Sequence, residues 1–138
     1  MPSTETRPGP ERWIGPLALM GCLWWVSGHA IATPPGTALI RVDLIAHVLV
    51  FGLLATALAR SPLPGSARCV PWSLAALLAS LYGLLDEWHQ SWVPARTFDP
   101  ADAAADIIGA YLAAAVYRFW PAYRRFWETT LFQKRKKG

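Results

Sequence analysis

Charge is what this sequence has least of. Of its 138 residues, 16% are Asp, Glu, Lys or Arg and 54% are hydrophobic. A soluble domain carries about a quarter charged residues. The scarcity is also arranged in blocks. Residues 13–40 and 70–85 contain no Asp, Glu, Lys or Arg, residues 47–59 contain only His47, and residues 107–117 are again uncharged. A helical membrane span takes about 20 mostly apolar residues. The first block is long enough by itself. The other three reach that length only if their polar outer turns belong to the helix. Cysteine is scarce too, with Cys22 in an apolar run and Cys69 in a distant loop. That excludes a disulfide framework and a cysteine metal site. No glycine-rich phosphate loop and no internal repeat is present. The opening MPSTETRPGPERW lacks the basic start and small-residue exit of a cleaved signal peptide.

What is present is four apolar helices with breakers between them. The pattern predicts helices over about Trp13–Ala32, Val42–Ala59, Pro71–Trp88 and Ala101–Trp120. TPPG, SPLPGS, Pro94 and Pro121 supply the stops. Residues 1–12 read as a polar tail, 13–120 as one membrane domain and 121–138 as a basic tail. Tyr123, Phe126, Trp127 and Leu131 recur at helical spacing beside basic residues, which suits a short helix at a membrane surface. The expected fold class is all-α, an integral membrane four-helix bundle with a C-terminal basic amphipathic segment. Membrane lipids, and no nucleic acid, are its expected partners.

Orientation follows from the basic residues. Arg60 and Arg68 lie between the second and third helices. Arg118, Arg124, Arg125, Lys134, Arg135, Lys136 and Lys137 follow the fourth. With four spans these share one side with the N-terminus, and that side is expected to be the cytoplasm of a multi-pass protein of the cell membrane. Asp43, Asp86, Glu87, Asp99, Asp102 and Asp106 then all fall at the outward end, as do His29, His47, His89, Arg41 and Arg96.

DEWHQSWVPARTFDPADAAAD, residues 86–106, concentrates this chemistry. Asp43 and His47 are four residues apart, as are Asp102 and Asp106, so each pair shares a helix face. Tyr82, Asp86, His89 and Gln90 share a face if the third helix continues to Gln90. Ionisable groups at membrane depth are costly unless they meet partners inside the bundle. The expectation is that they face one another, with Arg96 as counter-charge. Asp43 and Asp102 also suit the first turns of helices, where acids favour the dipole. Asp86 and Glu87 sit at a helix C-terminus, where the dipole disfavours them. Trp88, Trp92 and His29 read as interface residues, and Gly109 as a site of close helix packing.

These residues form a pattern: D-x3-H (Asp43, His47), Y-x3-DE-x-HQ (Tyr82 to Gln90), P-x-R-x2-D (Pro94, Arg96, Asp99) and D-x3-D-x2-G (Asp102, Asp106, Gly109). The pattern resembles the VanZ-like family of small bacterial membrane proteins over about residues 15–120. The family often has Lys where Leu44 falls and Asn where Asp106 falls. This chain therefore lacks one basic group and gains one acid. The resemblance implies a four-span envelope protein, linked through its namesake to low-level teicoplanin resistance, and implies no chemical mechanism.

Two functions fit the cluster. In the first it binds a lipid headgroup, an envelope precursor or a glycopeptide, through Asp43, Tyr82, Gln90, Arg96, Asp99 and Asp106. In the second it is a membrane-embedded hydrolase or transferase acting on lipid-linked substrates, with His47, Asp86, Glu87, His89 and Asp102 as catalytic groups. A divalent metal would then sit on His47, His89, Asp86 and Asp102. A proton path is disfavoured, because Thr56, Ser73 and Ser80 are the only hydroxyls in 48–59 and 70–81.

Overall fold

A computed structural model describes residues 9–29, 42–94 and 96–130. Arg41, the TPPG turn, Leu131 and the Lys134–Lys137 run, all used above, lie outside the described residues. A short 3-10 turn at Pro10–Trp13 leads into α1 (Ile14–Ser27). Then come α2 (Val42–Ala59), α3 (Trp72–Gln90), α4 (Pro100–Phe119) and α5 (Pro121–Thr130). Among the described residues there is no β-strand; one isolated bridge, Pro62 to Cys69, pinches the loop between α2 and α3.

Local chemistry explains the boundaries. Asp99 accepts a hydrogen bond from the Ala101 amide at 2.8 Å. It is the N-cap of α4, with Pro100 in the first turn, where a missing N–H costs nothing. Pro121 ends α4 by holding Trp120 in an extended conformation, φ −107°, ψ 102°. α3 continues to Gln90, which puts its last polar turn inside the helix. α1 stops at Ser27, short of the expected Ala32. Gly28 and His29 form a turn there, and the Arg96 Nη1 donates to the Ser27 carbonyl at 3.2 Å. A cation on the last carbonyls of a helix is a favourable terminus.

α2, α3 and α4 pack most closely, and α1 leans on α2 and α3 with far fewer contacts. The seams are made of small residues. Ala55, Ala75, Ala76, Ala79, Ala110 and Ala114 are buried, while Leu49, Leu77, Leu81, Ile108 and Leu112 are exposed. Large apolar side chains thus lie both in the core, at Phe51, Leu54 and Leu58, and across the outer surface. Glycine permits the closest approach: a Cβ on Gly109 would lie 2.2 Å from the Val48 carbonyl oxygen.

The two ends of the bundle differ in charge. At one end, hereafter the acidic end, the end of α1, the start of α2, the end of α3 and the start of α4 converge. At the other, the 3-10 turn, the end of α2 and α5 meet. Glu128 organises this basic end. It accepts from Arg12 Nη2 at 3.0 Å, Arg60 Nε at 3.3 Å and the Tyr117 hydroxyl at 2.8 Å.

Candidate functional site

The acidic end contains two hydrogen-bonded groups. The first joins α1, α3 and the loop before α4. Asp86 is 3% exposed, and its Oδ1 accepts from the Ser27 hydroxyl at 2.6 Å. Gln90 lies four residues after Asp86 and three after Glu87, the two spacings that share a helix face. Its amide nitrogen donates to both carboxylates at 3.1 Å, and its oxygen accepts from Arg96 Nη1 at 3.0 Å. One neutral side chain therefore links two acids to a guanidinium. Arg96 reaches the two acids only through that amide; among the described residues it makes no direct ion pair. The other Glu87 oxygen accepts from the Asp99 amide at 3.1 Å, which ties the loop to α3.

The second group joins α2 and α4. His47 Nδ1 lies 2.8 Å from Asp106 Oδ1, and His47 Nε2 lies 3.8 Å from Asp102 Oδ2. Asp102 and Asp106 reach the same imidazole because one turn separates them. Asp106 is 1% exposed, and its second oxygen has no hydrogen-bond partner. The space for that carboxylate exists because residue 83 is glycine: a Cβ there would sit 2.7 Å from Asp106 Oδ2.

The structure thus divides the metal donors expected from sequence. His89 and Asp86 belong to the first group, His47 and Asp102 to the second. His89 stacks on Trp24, ring centroids 3.8 Å apart and planes 13° from parallel. Among the described residues, the metal-type donor atoms that converge are one each from His47, Glu87 and Asp106, within 4.8 Å of one another. Tyr82 sits on the expected face, but its hydroxyl donates to the Met20 carbonyl at 2.6 Å and holds α1 to α3. Asp43 remains near the mouth of α2 and lines a cavity with His47, Asp86, Gln90 and Arg96. The cavity measures about 240 Å3, and its other walls are Leu23, Val26, Ser27, Ala46, Val50 and Phe51.

Sequence reasoning missed Ser27 and Gly83. Ser27 is a lone hydroxyl at the end of an apolar helix, beside Gly28. Gly83 lies one turn before Asp86 and Glu87, where a missing side chain makes room for a carboxylate from α4.

A sequence model of the VanZ/LLP1 family matches residues 13–121, which include every residue of both groups. The chain belongs to the VanZ/LLP1 family. No curated protein and no solved structure matches it. The family match begins at Trp13 and ends at Pro121, so the acidic end lies wholly within the shared domain and most of α5 beyond it.

Proposed function

We propose that this VanZ-like protein is a four-span protein of the cell membrane whose outward acidic end binds a lipid headgroup. Several observations support the spans. α2 is long and apolar enough to cross a membrane, at 18 residues and mean hydropathy 2.1, and it alone among the described helices passes that test. α3 and α4 fall short through the polar turns that build the site. Their large apolar side chains nevertheless face outward, and small residues fill the seams, as in helices packed within lipid. The basic end, with Arg60, Arg68, Arg118, Arg124 and Arg125, suits the cytoplasmic side and supports the reading that both termini face it.

The cavity carries the binding reading. One end is polar and the rest apolar, which matches a headgroup joined to acyl chains. At about 240 Å3 it lies below the range of about 300–1,000 Å3 usual for drug-sized ligands. A headgroup and its first methylenes fit. A glycopeptide or a whole envelope precursor is far larger and would lie across the mouth. Any glycopeptide resistance would then act through the lipid. Among the described residues Arg96 uses only Nη1, so its remaining N–H groups are available to a phosphate. Asp43 and Asp86 suit an amine or hydroxyl. The favoured ligand class is a zwitterionic or hydroxylated phospholipid.

Val50→Trp tests this, because it fills the cavity from its apolar wall and leaves the polar groups alone. Native mass spectrometry of the detergent-purified protein should show phospholipid retained by wild type. The variant should lose affinity about tenfold or more, equivalent to about 1.4 kcal/mol. A Val50→Trp protein that is folded and holds lipid as well as wild type would remove the assignment.

A further inference from the structure

We propose that His47, Glu87 and Asp106 form a binding site for one divalent transition-metal ion. The inference does not depend on the headgroup reading. It starts from buried charge. Glu87 and Asp106 are each 1% exposed, come from adjacent helices, and bring an oxygen into the same 4.8 Å cluster. Two carboxylates without water need positive charge nearby. Arg96 does not supply it, since it is bonded to Gln90 and Ser27. His47 can carry one positive charge at most.

The second observation is the buried Asp106 Oδ2. It has no partner, and it packs against Gly83, whose missing Cβ makes room for it. A buried carboxylate oxygen without a donor costs about 1–3 kcal/mol or more. A cation bound by this cluster removes that cost and balances the two carboxylates. The donor set also defines the ion class. One imidazole nitrogen with two carboxylate oxygens suits zinc, manganese, iron or cobalt better than calcium or magnesium, which prefer all-oxygen shells. Ligand atoms at about 2.0–2.2 Å from an ion lie about 3 Å apart, so the three side chains need only close inward slightly. Three protein ligands leave a coordination position for water or an incoming group. His47 lines the cavity, so that position would adjoin it.

The chemistry at the other two expected donors is different. His89 is engaged with Trp24, and Asp86 with Ser27 and Gln90. They provide the control. Purified full-length protein, stripped with chelator, is equilibrated with Co2+ and read by its visible d–d absorption and by elemental analysis. Wild type should bind one ion per chain. His47→Gln and Asp106→Asn should each weaken binding by about 100-fold or more, since even the outer partners of a metal ligand cost about 10–100-fold. His89→Gln should bind as wild type does. Absence of bound cobalt in wild type, unchanged binding in His47→Gln, or equal loss in His89→Gln overturns the site. If His47→Gln does not fold, pulsed EPR of Mn2+-loaded wild type replaces it. One imidazole nitrogen coupling is the expected result; none or two overturns the assignment. Lipid retention in the Val50→Trp experiment is read separately, so either proposal can fail alone.

Discussion

Gly109→Val is expected to yield little or no folded protein. The added Cβ would lie 2.2 Å from the Val48 carbonyl oxygen, 2.7 Å from its Cα and 2.8 Å from its carbonyl carbon. All three are backbone atoms, so no rotamer change relieves them. α2 and α4 would have to separate. The seam has little slack elsewhere, because a Cβ on Gly52 would already be 3.0 Å from the Ala113 Cβ and 3.1 Å from the Gly109 carbonyl oxygen. Overpacking a seam usually costs about 1–3 kcal/mol. Here the obstacle is main chain, and the cost belongs at or above the top of that range. Separation would also stretch the 2.8 Å contact between His47 and Asp106, which bridges the same two helices. The yield of monodisperse protein on size exclusion, with a thermal scan in detergent, measures this. Gly109→Ala should be impaired less, and wild-type yield and melting from Gly109→Val would refute the backbone contact.

Glu128→Lys is expected to detach α5 from the bundle. Burial pushes the Glu128 carboxyl up, but the Tyr117 hydrogen bond and the guanidinium groups of Arg12 and Arg60 outweigh it and hold it below its ordinary value of 4.5. Arg60 is 7% exposed, so reversing its partner leaves a nearly buried cation facing a second one. A hydrogen bond to a charged group contributes about 1.5–3 kcal/mol. The Glu128 side chain is one-third exposed, and solvent screening reduces its share. Glu128→Gln should therefore cost about 1–2 kcal/mol, and Glu128→Lys more. The acid dependence has a fixed sign. A carboxyl with a lowered folded value stabilises fully above pH 4.5 and loses that contribution as pH falls through the lowered value. Glu128→Gln should flatten this acid limb of the melting temperature. Limited proteolysis at α5 reports the detachment, and equal cleavage of wild type and Glu128→Lys would sink the prediction.

Much of the architecture was legible because it is periodic. α2 runs from Val42 to Ala59 as its apolar run and flanking breakers predicted. The polar faces of α3 and α4 followed from spacings of three and four. Gly109 could be assigned to packing because it continues the face of Asp102 and Asp106. What was not legible has no period. Ser27 meets Asp86 across 59 residues, and Arg12 meets Glu128 across 116. Neither residue stands out in its own segment. The end of α1 was misplaced because the feature that stops it, the Arg96 guanidinium, comes from a loop 69 residues away. His89 was grouped with the other donors by composition, and only the structure shows Trp24 beneath its ring. Glu87 reads from sequence as a catalytic acid and not as a metal donor; its convergence with Asp106 depends on how α3 and α4 cross.

The walls of the cavity are unequal in stiffness. α2 and α3 belong to the glycine- and alanine-lined seams, where any displacement moves main chain against main chain. α1 supplies Leu23, Val26 and Ser27 to the same cavity but touches the bundle sparingly. Near the cavity its polar attachments include the Ser27 hydroxyl on Asp86, the Ser27 carbonyl under Arg96 and the Met20 carbonyl on Tyr82. Those bonds can be exchanged for bonds to a guest, whereas a helix seam cannot. The cavity therefore has one compliant wall and two rigid ones. Its width is set by side chains that an occupant can itself replace, while its depth is fixed by the bundle.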